Sequence, residues 1–347
     1  MQTPHSQPNI LVTGGAGYIG SHAAIRLLDD GHAVTVIDNL SRGNRGAIAQ
    51  LARVGGARFC FVECALDDTA KLCEVMRASA TEIVMHFAAL AYVGESMERP
   101  LEYFTNNVVG GISLLNAMCA SDVRKIVFSS TCATYGEPAS ENIPIQESLL
   151  QLPINPYGRS KLQFEEILRA ECARANDANP LAAIALRYFN VAGADRALRV
   201  GEDHRPESHL IPLALEVAAN TRESVMIFGT DYPTHDGTCV RDYVHVEDLV
   251  DAHIKAISAL QGGEFHAWNV GTGRGHSVRE VIESCRRITG HRIPERIGTR
   301  RAGDPAQLFA DARAITRDLH WHAQHTELDS IVSSAWNWMQ ANPCGYQ

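Results

Sequence analysis

The chain has 347 residues, of which 45% are hydrophobic and 20% charged, with a formal net charge of -9. That is ample apolar material for one large domain or two intimate ones, in the proportions of a globular enzyme. The negative balance excludes nucleic acid as an expected main partner, because phosphate backbones call for a basic surface. No run of 18 apolar residues offers a membrane span.

The opening MQTPHSQPN is polar and lacks the layout of a signal peptide, so a cytoplasmic location is expected. Residues 9–13 (NILVT) form a short apolar run that stops at glycines, and 19–30 follow with helical periodicity. Residues 33–38 (AVTVID), 59–62 and 83–87 (IVMHF) continue a series of buried strands, with a helix near 67–78 between the last two. A long helix is expected over 101–120, a strand at 125–130 (KIVFSS), a helix over 157–174 and a strand at 181–189 (LAAIALRYF). This alternation predicts an α/β fold of the Rossmann type, a doubly wound parallel sheet with helices on both faces.

After Asn190 the pattern changes: glycine, proline, aspartate and histidine cluster at 191–208 and again at 229–237. Short strands at 225–228 and 267–270 mix with helices near 210–219, 247–260 and 277–289. The division expected is a dinucleotide-binding domain over 8–190 and a smaller C-terminal α/β substrate lobe over 191–345. Part of 240–262 is expected to pack back on the first domain. Ligands of open α/β sheets bind at the carboxyl ends of the strands, where such a lobe would close over them.

Thr13-Gly-Gly-Ala-Gly-Tyr-Ile-Gly20 puts glycines at 14, 17 and 20 between a strand and a helix, with Tyr18 and Ile19 opening the helix. Glycine permits the tight turn and close backbone approach to a pyrophosphate, and the helix terminus supplies free N–H donors. Asp38 ends the second strand, where an acid accepts both ribose hydroxyls and repels a 2′-phosphate, so NAD is expected rather than NADP. Arg42 and Arg45 follow it. Further on, Tyr157 and Lys161 stand four residues apart, on one face if helical. An ammonium one turn away favours the phenolate over the ordinary phenol, whose pKa is about 10. The nine cysteines include no CxxC pair, Cys60 and Cys64 fit no zinc or redox spacing, and His320, His322 and His325 match no ligand pattern. No metal is expected, and the thiols read as those of a reducing compartment.

TGGAGYIG (13–20), HFAA (86–89), FSSTCATYG (128–136), NPYGRSK (155–161) and RYFN (187–190) together resemble the extended short-chain dehydrogenase/reductase superfamily. FGTDYPTHDGTCVRDYVHVEDL (228–249) and RRAGD (300–304) narrow the resemblance to the UDP-glucose 4-epimerase (UDP-galactose 4-epimerase) family and its close relatives. The resemblance spans nearly the whole chain. It implies a NAD-dependent reversible 4-epimerisation of a UDP-sugar through a 4-ketopyranose, hydride leaving C4 and returning to the opposite face. Tyr157 would be the base, Lys161 would bind the nicotinamide ribose and hold the Tyr157 pKa down, and Thr131 would hydrogen-bond the 4-oxygen. Asn39, Leu66, Phe87, Ala88, Ala89, Asn106, Ser129 and Tyr188 map to cofactor positions. Asn190, His209, Leu210, Phe228, Arg241, Tyr243, Arg301, Asp304 and Leu308 map to UDP-sugar positions, with Arg241 and Arg301 on the pyrophosphate. A homodimer paired through the helices at 101–120 and 157–174 is implied as well.

The chain departs from the family pattern in places. Ala65 stands where an acid usually approaches the adenine, with Asp67 and Asp68 nearby; Ala91 replaces a lysine, and His209 an asparagine. Leu308 matches a position that gates sugar bulk, between the tyrosine of hexose-only enzymes and the smaller residues that go with N-acetylhexosamines. UDP-glucose and UDP-galactose lead as substrates, with UDP-xylose/UDP-arabinose or UDP-GlcNAc/UDP-GalNAc as alternatives. Dehydratases and decarboxylases of the same fold need an acid near the strand threonine, whereas Thr131 is followed by Cys132, Ala133 and Thr134. A non-catalytic NAD-binding scaffold would be expected to lack Tyr157, Lys161 or Thr131, all of which are present.

Overall fold

Seven short apolar runs become one parallel sheet in the computed structural model, which describes residues 7–301 and 304–346. Residues 1–6 of the polar start, 302–303 within RRAGD, and Gln347 lie outside the described residues. The strands lie in the order Phe265–Val270, Ala182–Tyr188, Lys125–Ser129, Ile83–His86, Ile10–Thr13, Val34–Asp38, Phe59–Glu63. Each neighbour pair is parallel, with Val12 beside Val36 and Thr13 beside His86. Alternation along a strand sends successive side chains to opposite faces, and both faces are covered. Ile10 and Val12 join a core with Leu27, Leu28, Leu249 and Ala252, whereas Leu11 joins another with Phe128, Phe164 and Leu168. Full burial of each such side chain contributes about 1.5–3 kcal/mol.

The strand order reverses between Ile10–Thr13 and Ile83–His86, which opens a crevice at the carboxyl ends of the strands. A second, four-stranded sheet is built on Val240–His245, paired with Asn190–Ala192, Gly275–Ser277 and Gln307–Leu308. A two-stranded ribbon joins Val225–Phe228 to Glu295–Gly298. The helices Leu210–Ala218, Val278–Thr289 and Leu328–Ala341 bury Ile211, Leu215, Ile282 and Ile331 in a separate core beneath them.

Two expectations need correction. The strand Phe265–Val270 is an edge of the large sheet, hydrogen-bonded to Ala182–Tyr188, rather than part of the smaller lobe. Helix Val246–Ile257, inside the 240–262 stretch expected to pack back on the first domain, lies on the large sheet through Leu249, Ala252 and Ala256. The helix expected over 101–120 is unbroken but not α-helical throughout: Pro100–Phe104 and Gly110–Ala120 flank a π-turn at Thr105–Val109. A helix at Arg45–Gly55 was not anticipated.

Candidate active site

The turn after Ile10–Thr13 is shaped by contacts that leave no room for a side chain. Gly14 has φ +72°, and a Cβ there would meet the Ala88 backbone N at 2.5 Å; a Cβ at Gly20 would meet the Gly14 carbonyl at 2.2 Å. The helix Tyr18–Asp29 therefore starts directly above the strand, with its first amides facing the crevice. Asp38 is 8% exposed at the end of the next strand and accepts from the Ala16 N–H (3.0 Å) and the Leu40 N–H (2.8 Å). Burial pushes its pKa up against those two hydrogen bonds. Arg42 is paired with Glu95 and Arg45 with Glu63 (2.6 Å), so both guanidiniums near Asp38 already have carboxylate partners. Cys64, Ala65 and Leu66 line the crevice beyond it, but Asp67 and Asp68 do not. Asp68 instead caps the helix Thr69–Ala78 through the Lys71 N–H, so neither aspartate supplies the acid missing at Ala65.

The π-turn has a local consequence. It buries Asn107, whose amide accepts from the Leu90 N–H (2.9 Å) and donates to the Leu90 carbonyl (3.0 Å) and the Ser160 hydroxyl (2.9 Å). Asn106 lines the cavity from the same turn. Such turns recur where a helix must aim side chains at a site.

Asn155 caps the helix Pro156–Cys172 by accepting from the Gly158 N–H (2.8 Å), and Pro156 occupies its first turn. Tyr157 and Lys161 then face the end of Lys125–Ser129, both buried. Lys161 donates to the Ser129 carbonyl (2.8 Å) and lies 4.8 Å over the Phe128 ring. Burial pushes its pKa down to about 7, with Glu165 pulling the other way. Tyr157 is held well above the ordinary phenol value, first by burial and then by neighbouring Tyr188, while its contact with Thr131 acts to lower it. The spacing argument therefore holds for geometry, but within the protein alone burial outweighs the ammonium. Tyr188 shares a hydrogen bond with the Ser129 hydroxyl (2.8 Å).

Beneath the pair sits an ion pair that sequence reasoning missed. Glu165, one turn beyond Lys161, is 1% exposed and binds Arg187, which is 3% exposed, at 2.6 Å. Ser130, the neighbour of Thr131, donates to the same carboxylate. The i, i+4 spacing of Lys161 and Glu165 was the available signal.

On the far side, Arg301 lies 4.0 Å over the Phe228 ring, and Arg241 is ion-paired with Asp304 and donates to the Val240 carbonyl (2.7 Å). Leu308 packs with Tyr135, Ile145 and Phe189. His209 is placed at the cavity wall, with its Nδ1 at 2.7 Å from a Glu202 carboxylate oxygen and 3.2 Å from one of Glu207. Burial works against charge on that ring, yet the two carboxylates raise its pKa to about 10. His320 and His322 are exposed, whereas the His325 ring lies tilted against His245, with centroids 4.5 Å apart.

The glycine turn, Asp38, the Tyr157/Lys161 pair and the Arg241/Arg301 end line one continuous cavity of about 1630 Å³. Its first end holds Gly14, Gly17, Tyr18, Ile19, Gly20, Asp38, Asn39, Leu66, Phe87, Ala88, Ala89 and Asn106. Ser129, Thr131, Tyr157, Lys161 and Tyr188 are at its middle, and Asn190, Leu210, Phe228, Arg241, Tyr243, Arg301, Asp304 and Leu308 at the other end. The glycine cradle, the buried acid at Asp38 and the helix terminus fit a dinucleotide at the first end.

Residues 10–271 match the NAD dependent epimerase/dehydratase family. The chain is 48% identical over 338 residues to a UDP-glucose 4-epimerase of Halalkalibacterium halodurans, covering 97% of each. It is 44% identical to a probable UDP-arabinose 4-epimerase of rice, Oryza sativa subsp. japonica, covering 97% of this chain and 84% of that one. Among solved structures, it superposes with a TM-score of 0.91 on a UDP-glucose 4-epimerase from Stenotrophomonas maltophila with bound NAD and formylated UDP-arabinopyranose. The identity there is 41%, and 97% and 99% of the two chains are covered. With a sheet, a glycine turn and a Tyr157/Lys161 pair of this kind, the chain belongs to the NAD dependent epimerase/dehydratase family.

Proposed function

We propose that the protein is a NAD-dependent UDP-glucose 4-epimerase that interconverts UDP-glucose and UDP-galactose. The observation that carries the reading is the single cavity, in which Thr131, Tyr157 and Lys161 lie between the glycine turn with Asp38 and the Arg241/Arg301/Phe228 end. The first end takes the dinucleotide and the second the UDP group, where guanidinium forks suit a pyrophosphate. Bound there, NAD supplies the hydride acceptor and donor at C4 and a positive ring charge that favours the Tyr157 phenolate. Tyr157 takes the proton of the sugar 4-hydroxyl and later returns it; Thr131 hydrogen-bonds the 4-oxygen; Lys161 orients the ribose and stabilises the phenolate. Burial of Tyr157 and Lys161 keeps water from the exchanged proton. The 4-ketopyranose must then turn over in the cavity so that its opposite face is reduced.

The carboxylate partners of Arg42 and Arg45 support NAD over its 2′-phosphorylated form. No acid follows Thr131, which leaves elimination without its proton donor. Exposed Leu101 (79%), Val109 (55%) and Ile112 (40%) favour a homodimer through the 100–120 segment, which light scattering at about twice 37.9 kDa would bear out. Nine free cysteines suit a reducing cytoplasm, and among the described residues no helix is long and apolar enough to cross a membrane. The direct test is Tyr157→Phe: epimerisation should fall at least about 10³-fold while the purified variant keeps its NAD. Full activity in that variant would remove Tyr157 as the base.

A further inference from the structure

The segment before helix Leu210–Ala218 reads Glu202-Asp-His204-Arg-Pro-Glu207-Ser-His209, a spacing E-x-H-x-x-E-x-H of which only His209 maps to a UDP-sugar position. The structure folds it so that one ligand atom from each of Glu202, His204, Glu207 and His209 lies within 4.8 Å of the others. The four imidazole-to-carboxylate separations are 2.7, 3.2, 3.2 and 3.5 Å, each histidine presenting Nδ1 to both glutamates. The edge of a tetrahedron of ligands around zinc, with bonds near 2.1 Å, is about 3.4 Å.

A second observation points the same way. The Glu202 side chain is 6% exposed, and its Oε1 makes no directed hydrogen bond, nor does Nδ1 of His204. The two atoms are close without being aimed at each other, as expected of lone pairs that converge on a common third point. Glu207 has its Oε1 fixed by the Ser208 N–H (2.6 Å) and the His209 N–H (2.8 Å), which leaves Oε2 toward His204. Tyr18 and Tyr92 wall the cluster with edge-on contacts to His204.

We propose that Glu202, His204, Glu207 and His209 bind one divalent first-row transition metal ion, zinc by preference, in a structural site at the rim of the cavity. Two imidazoles and two carboxylates are a donor set zinc accepts, and their two negative charges balance the ion. The ion ties residue 202 to residue 209, the N-cap of the helix that lines the cavity, and so fixes the loop covering that wall. This departs from the expectation of no metal. The competing arrangement is a metal-free cluster in which two protonated imidazoles offset the two glutamates.

The test uses the full untagged chain, stripped with chelator and titrated with zinc alone by calorimetry, with bound metal counted by mass spectrometry. One zinc per chain and a higher unfolding temperature are expected. Glu202→Gln, a change of nearly equal size, should weaken binding at least tenfold, and His325→Ala should leave it unchanged. Cobalt loaded into the wild-type chain should show the strong visible bands of a four-coordinate ion, a readout independent of any variant's folding. Less than a tenth of an equivalent of zinc, or six-coordinate cobalt spectra, would overturn the site. Binding that survives Glu202→Gln, or is lost in His325→Ala, would overturn it as well.

Discussion

Glu165→Gln removes a charge without removing volume, and the surroundings of Glu165 set the cost. Its carboxylate takes Arg187 Nη2 at 2.6 Å and Nε at 3.1 and 3.2 Å, and also the Ser130 hydroxyl. Neither partner reaches water, at 1% and 3% exposure. Leaving one member of a buried pair uncompensated costs about 3–5 kcal/mol. Arg187 keeps three neutral acceptors, the Tyr135 hydroxyl (2.9 Å), the Gln151 amide oxygen (3.0 Å) and the Glu147 carbonyl (3.4 Å). That places the loss at the lower end, about 3 kcal/mol. Urea unfolding followed by tryptophan fluorescence measures it, and Glu165→Met/Arg187→Met should recover all but about 1–2 kcal/mol, because both desolvation costs disappear together. A single-variant loss under about 1 kcal/mol, or a double variant equal to the sum of the singles, would refute the reasoning.

Gly20→Ala should yield a folded protein with little or no bound NAD, because its Cβ would lie 2.2 Å from the Gly14 carbonyl in the turn; absorbance of the nucleotide released on denaturation reads this, and wild-type retention would contradict it. The buried histidines His86 and His253 have their pKa values lowered by burial to about 3 and about 4. Groups so depressed take up protons on unfolding below about 6.5, so stability is full above that pH and is lost as the pH falls toward 4. Together these two rings contribute about 2.7 kcal/mol per unit to the slope near pH 5, to which buried His245, lowered to about 3, adds in the same direction, and a flat stability profile between pH 6.5 and 5 would contradict the burial of these rings.

The central sheet was legible because its strands are short, apolar and separated by helical periods, and because Gly14, Gly20 and Asp38 occupy positions with few alternatives. The strand Phe265–Val270 was legible as a strand but not as a partner of Ala182–Tyr188, since pairing across some eighty residues leaves no local mark. Helix Arg45–Gly55 leaves a weak sequence signal, since it carries glycines at 46 and 55 and its Asn44 cap makes no side-chain hydrogen bond. The π-turn at Thr105–Val109 is set by what Asn107 bonds to in Leu90 and Ser160, so nothing in 101–120 alone reveals it. At the site, the residue types were readable and their partners were not. Arg241 was expected on a pyrophosphate and is also the partner of Asp304, and the Tyr157–Lys161 spacing said nothing of how strongly burial would act on both.

The most direct measurement uses UDP-galactose deuterated at C4, incubated in ordinary water with the purified protein and no added NAD. The account predicts UDP-glucose that keeps its C4 deuterium, since the hydride leaves and returns within one closed site. Product whose label has exchanged with water, or no interconversion by protein that carries NAD, would contradict it.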